Sequence, residues 1–105
     1  KAKRETDAIS IEAETDRVYI DTTTTVRLSD SGNQRDIHIA KMGSLSTIVW
    51  NPWVAKAQAM ADFTDSEFER MLCVETANAL DNAVVVRPAE EHRISCIIRA
   101  ESNAL

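Results

Sequence analysis

The feature that most limits what this chain can fold into is a two-residue alternation of apolar and polar side chains, repeated in several short segments. In residues 8–14, Ile9, Ile11 and Ala13 fall on one side and Ser10 and Glu12 on the other. In residues 22–30, Val26 and Leu28 alternate with Arg27 and Ser29. Ile37 and Ile39 flank His38, and Ile94, Cys96 and Ile98 share a parity near the end. On a helix such residues would be smeared around the axis, whereas a strand gathers them on one face. The chain therefore reads as all-β.

Turn chemistry divides these segments. The run Ser29-Asp30-Ser31-Gly32-Asn33 concentrates turn formers, so the segments on either side of it read as an antiparallel hairpin. A strand over residues 46–50 is stopped by Asn51-Pro52, since proline cannot donate to a central ladder. Residues 55–63 carry helix propensity without a clean 3.6-residue period, which predicts a short helix or a packed loop. Residues 66–76 begin helix-like and end strand-like. Residues 82–101, with Pro88 in the connection, read as a second hairpin. Roughly six to eight strands with frequent turns describe a sandwich. Only two glycines are present, so the turns must rely on Asn, Asp, Ser and Pro.

Charge and length narrow the function. The chain has 105 residues and a net charge of -5, enough for one domain and the wrong sign for a nucleic-acid backbone. No apolar run approaches the roughly 20 residues of a membrane helix, and no signal-peptide pattern is present. Cys73 and Cys96 are too few for a disulfide scaffold and read as reduced, buried thiols. The expected compartment is the cytoplasm, with an organelle as the other option. His38 and His92 have no partners at metal-ligand spacing, no nucleophile stands beside either one, and there is no glycine-rich phosphate loop. The chain starts at Lys1, which reads as a fragment, a processed chain or the ordered part of something longer.

Three places are candidates for chemistry. In the run Met71-Leu72-Cys73-Val74-Glu75 a strand would point Met71, Cys73 and Glu75 the same way. A carboxylate among apolar neighbours is desolvated, which suits acid–base work near neutral pH; the alternative is a rim glutamate near solvent. Asp16, between Glu14 and Arg17 on the approach to a strand, is either a surface turn with a local ion pair or a carboxylate for a polyhydroxylated ligand. Trp50 and Trp53 bracket Asn51-Pro52. They read first as core residues and second as an aromatic wall for a sugar ring. Lys56 is either a phosphate contact or a solvated stem.

The string from Val49 to Ala77, with its V-W-N-P-W, K-A-x-A-M-A-D-F and M-L-C-V-E blocks, and the T-D-R-V-Y block at residues 15–19 resemble the C-terminal part of the hexose-6-phosphate mutarotases of the aldose 1-epimerase family. The resemblance covers about residues 6 to 100. It implies one C-terminal fragment, residues 1–105, of a large antiparallel β-sandwich of the galactose mutarotase type, with little helix and a sugar site on a sheet face. It also implies interconversion of the α and β anomers of hexose 6-phosphates, without metal or cofactor. A glutamate takes the anomeric proton and a histidine protonates the ring oxygen. Matched by motif, Glu75 is the base and Asp16 a sugar-binding carboxylate; the Trp50–Trp53 turn is a structural signature.

The family's acid histidine and phosphate-binding arginines lie upstream of this region, and neither His38 nor His92 sits in a matching motif. Relatives commonly carry glycine after the proline where this chain has Ala89. The implied partners are a hexose 6-phosphate and the upstream half of the same protein. The alternative is a non-catalytic, carbohydrate-binding or structural module acting as a subunit of a larger assembly.

Overall fold

In the computed structural model, which describes residues 2–3, 8–62, 64 and 66–104, seven strands form two sheets. Along the chain they are β1 (Ala2–Lys3), β2 (Thr15–Tyr19), β3 (Val26–Asp30), β4 (Arg35–Met42), β5 (Ser46–Asn51), β6 (Cys73–Ala77) and β7 (Ser95–Ser102). One α-helix, α1 (Trp53–Ala59), lies between β5 and β6. The first sheet has the order β1-β2-β5-β6 and the second β3-β4-β7. All pairings are antiparallel except β1 with β2. The chain is thus all-β, with little helix.

The β3–β4 hairpin forms around the Ser-Gly-Asn turn, with Val26 opposite Ile39 and Leu28 opposite Ile37. Two expected strands differ. Residues 8–14 are not a strand. The β2 ladder begins at Thr15, whose partner Asn51 is the last residue of β5. Pro52 then turns the partner chain into α1, so nothing remains for residues 8–14 to pair with. The second hairpin also does not form as a ladder. Residues 83–94 turn at Arg87–Glu90, but β7 pairs with β4 from Arg35↔Ser102 to Met42↔Ser95. That edge gives every residue of β7 a partner, which a tight hairpin about Pro88 would not.

The scarcity of glycine has a visible consequence. Asp21, Gln34, Trp53, Leu80 and Ala89 all take the left-handed backbone region, where a Cβ is disfavoured. Gly43, at φ 76, is a site that no other residue fits, because a Cβ there would collide with the carbonyl oxygen of Arg93.

Among the described residues the buried hydrophobic side chains are Ile20, Ile39, Val49, Ala57 and Phe68, against six buried polar or charged residues. That is a thin core. The accessible surface is 7686 Å², whereas a compact monomer of this mass exposes about 5,900 Å². Every residue of β7 is exposed, and Ile97 and Ile98, on opposite faces, are each 67% exposed. The expectation of two buried thiols is corrected here: Cys73 is half-buried, but Cys96, on this bare edge strand, is exposed.

Candidate active site

Residues directly opposite one another in an antiparallel pair lie on the same face of the sheet. Asp16 of β2 faces Trp50 of β5, and Trp50 faces Cys73 of β6. In the neighbouring row Val18 faces Ile48, and Ile48 faces Glu75. Alternation along each strand then places Asp16, Val18, Ile48, Trp50, Cys73 and Glu75 on one face. The two carboxylates are brought to a single surface, two strands and two residues apart, about 12 Å between Cα atoms from ideal sheet spacings. Trp50 and Ile48 lie between them, both half-buried.

Glu75 is central in β6, an edge strand, and is exposed. Its neighbours Met71 and Cys73 are half-buried. Burial holds the Cys73 thiol above its ordinary pKa, and the nearby charge of Glu75 adds to this, so Cys73 stays protonated at neutral pH. Asp16 is exposed as well. Beside it, Lys56 of α1 reaches Glu14 at 2.7 Å. The hydrogen bond that Lys56 donates to Glu14, and then the charge of Glu14, raise the pKa of Lys56, and Asp16 contributes in the same direction. Lys56 is thus neither a free stem nor an unpaired cation. It ties α1 to the Asp16 end of the face.

Neither tryptophan belongs to the buried core, contrary to the first reading. Trp50 is half-buried because its row ends in exposed Asp16 on one side. Trp53, also half-buried, meets the ring of Phe68 edge-on, with centroids 5.0 Å apart at 61°.

The residue that sequence reasoning passed over is the one between them. Asn51 is 3% exposed. Its Nδ2 donates to Phe68 O and to Met71 O, each at 2.9 Å. Its Oδ1 accepts from the backbone N–H of Trp53 at 2.8 Å. The signal was its place in Trp-Asn-Pro-Trp, where a carboxamide can cap the backbone two residues on. At the other end of β6, the Ser44 hydroxyl donates to Ala77 O (2.6 Å) and accepts from Ala77 N (3.2 Å). Asn78 bonds Gly43 O at 2.8 Å and accepts from Leu45 N at 2.9 Å.

The histidines stand elsewhere. His92 lies 2.9 Å from Gly43 O and 3.2 Å from Asn78 Nδ2. His38, on β4 of the second sheet, has its Nε2 3.5 Å from Glu101. Asp36, His38 and Glu101 bring three ligand-type atoms within 4.8 Å of one another. Sequence spacing hid this group because β4 and β7 are far apart in the chain. Its carboxylates are already engaged: Arg27 holds Asp36 at 2.8 Å and Arg99 holds Glu101 at 2.6 Å. A concavity of about 370 Å³ is lined by Val84–Val86 and Glu90–His92 and contains neither Asp16 nor Glu75.

The family model described as aldose 1-epimerase matches residues 1–99. A protein of Cenchrus ciliaris is 40% identical over 87 residues, 83% of this chain and 26% of that protein. One of Escherichia coli K12 is 31% identical over 78 residues, 74% of this chain and 26% of its own. One of Salmonella typhimurium LT2 is 29% identical over 87 residues, 81% of this chain and 30% of its own. All three carry the name "putative glucose-6-phosphate 1-epimerase". No solved structure matches at a significant level. The chain therefore spans about a quarter of the length of the first two of these relatives.

Proposed function

The chain belongs to the aldose 1-epimerase family, and from that premise we propose that it is the C-terminal part of a mutarotase that interconverts the α and β anomers of a hexose 6-phosphate. The observation that carries this reading is the common face of Asp16 and Glu75, with Trp50 and Ile48 between them. Such a face offers what a pyranose needs. An indole packs against its C–H side, one carboxylate accepts hydrogen bonds from hydroxyls, and a second carboxylate takes a proton.

In the proposed reaction Glu75 removes the proton from the anomeric hydroxyl. The C1–O5 bond breaks as an acid protonates O5, the open-chain aldehyde rotates about C1–C2, and the ring closes on the opposite side. As O5 attacks C1 it gives its proton back to the acid, and Glu75 returns its proton to the new anomeric oxygen. The acid and the phosphate-binding groups belong, in this reading, to the rest of the polypeptide. The thin core and the excess accessible surface support a chain that completes its sandwich against further polypeptide. The relative lengths support it too.

Exchange NMR between the two anomers of glucose 6-phosphate tests the proposal. The full-length protein is expected to accelerate exchange well above the spontaneous rate, and the 105-residue chain alone is not. No acceleration by the full-length protein would favour a non-catalytic module.

A further inference from the structure

We propose that Asn51 is a positioning residue, whose buried carboxamide fixes where β6, and with it Glu75, stands relative to Asp16 and Trp50. The inference rests on the reading of Glu75 as the base. It starts from the weakness of β6. Among the described residues this strand has one ladder neighbour, β5, and it is five residues long. A slip of one residue would send Glu75 to the opposite face and put Val74 or Thr76 in its place. The ladder alone therefore leaves the position of Glu75 held from one side.

Asn51 supplies a second hold. It ends β5, and its side chain bonds the carbonyls of Phe68 and Met71 in the segment that leads into Cys73. The same amide receives the N–H of Trp53, and the Trp53 ring closes on Phe68. One buried side chain thus ties three chain segments together at the entry to β6. Burial makes these bonds obligatory, since the amide has no water to turn to. Only a carboxamide of this length donates twice and accepts once here. Aspartate would present an acceptor to two carbonyl oxygens. Trp53 occupies the left-handed region at φ 60, a conformation that persists only where its surroundings enforce it. Ser44 and Asn78 fasten the exit of the strand. Glu75 lies midway between the two fastenings.

The test uses full-length protein with Asn51→Asp, and Asn51→Ser if the first does not fold. Anomer exchange is measured per folded molecule, together with amide hydrogen exchange across residues 73–77. The expected result is a kcat lowered about 100-fold by displacement of the base, with KM within about twofold. Amides of β6 are expected to exchange at least about tenfold faster relative to Val49, as for a locally opened strand. An unchanged kcat per folded molecule, with only the unfolding midpoint lowered, would overturn the proposal. The wild-type rate and Glu75→Gln are run in parallel. If the wild type has no activity, or Glu75→Gln keeps it, the catalytic reading fails. The amide exchange then decides the clamp alone: unchanged protection of residues 73–77 rejects it.

Discussion

Trp50 stands directly opposite Asp16 in the β2–β5 ladder, and both lie on the face that also carries Glu75. Trp53, three residues on, turns away to pair with Phe68. The two tryptophans therefore have separable jobs. Trp53→Ala is expected to cost about 2 kcal/mol of stability, roughly half the range for a fully buried large-to-small change, because the ring is half-buried. Trp50→Ala is expected to raise KM for the sugar phosphate more than it lowers the unfolding midpoint. Denaturant titration beside saturation kinetics separates them; equal KM effects would show that the face reading is wrong.

Two turns make opposite predictions. Ala89 sits at φ 68, where a Cβ costs about 1–2 kcal/mol. Glycine there would relieve this but gain entropy in the unfolded chain. Ala89→Gly is expected to stabilise by about 0.5–1 kcal/mol. Gly43→Ala, which drives a Cβ into Arg93 O, is expected to destabilise by about 3 kcal/mol or more. Thermal unfolding of the two variants checks both signs.

A pH effect follows from Asp36. The hydrogen bonds from Arg27 hold its carboxyl below its ordinary pKa, with Asn103 assisting and burial opposing. A carboxyl depressed in the folded state stabilises at pH values above its unfolded pKa. That contribution is full above the ordinary carboxylate range and fades as the pH falls through the lowered folded value. Asp36→Asn is therefore expected to flatten the dependence of unfolding free energy on pH below the ordinary carboxylate range. An identical slope in the variant and the wild type would remove Arg27–Asp36 from the account of acid lability.

Much of the fold was legible because alternation reports a strand wherever one face is covered. Val26/Leu28 and Ile37/Ile39 announced the hairpin that forms. Alternation does not report whether a partner strand exists. Ile9, Ile11 and Ala13 alternate as well as any, yet the ladder stops at Thr15 because Pro52 ends its partner. Pairing choice was hidden for the same reason: β7 selects the open edge of β4 over its sequence neighbour. At the candidate site, motifs named Glu75 and Asp16, but only the register showed that they share a face. Asn51 was not legible, since three hydrogen bonds from one amide depend on segments brought together by the fold.

The central claim is that Glu75 is the proton-transferring group on that face. It is tested most directly by two-dimensional exchange NMR of glucose 6-phosphate anomers with full-length wild-type and Glu75→Gln protein, both shown to be folded. The account predicts that the variant loses about 10²–10⁴-fold in exchange rate, the usual contribution of a positioned acid–base group, while unfolding midpoints stay close. Wild-type exchange in a folded Glu75→Gln protein would contradict it.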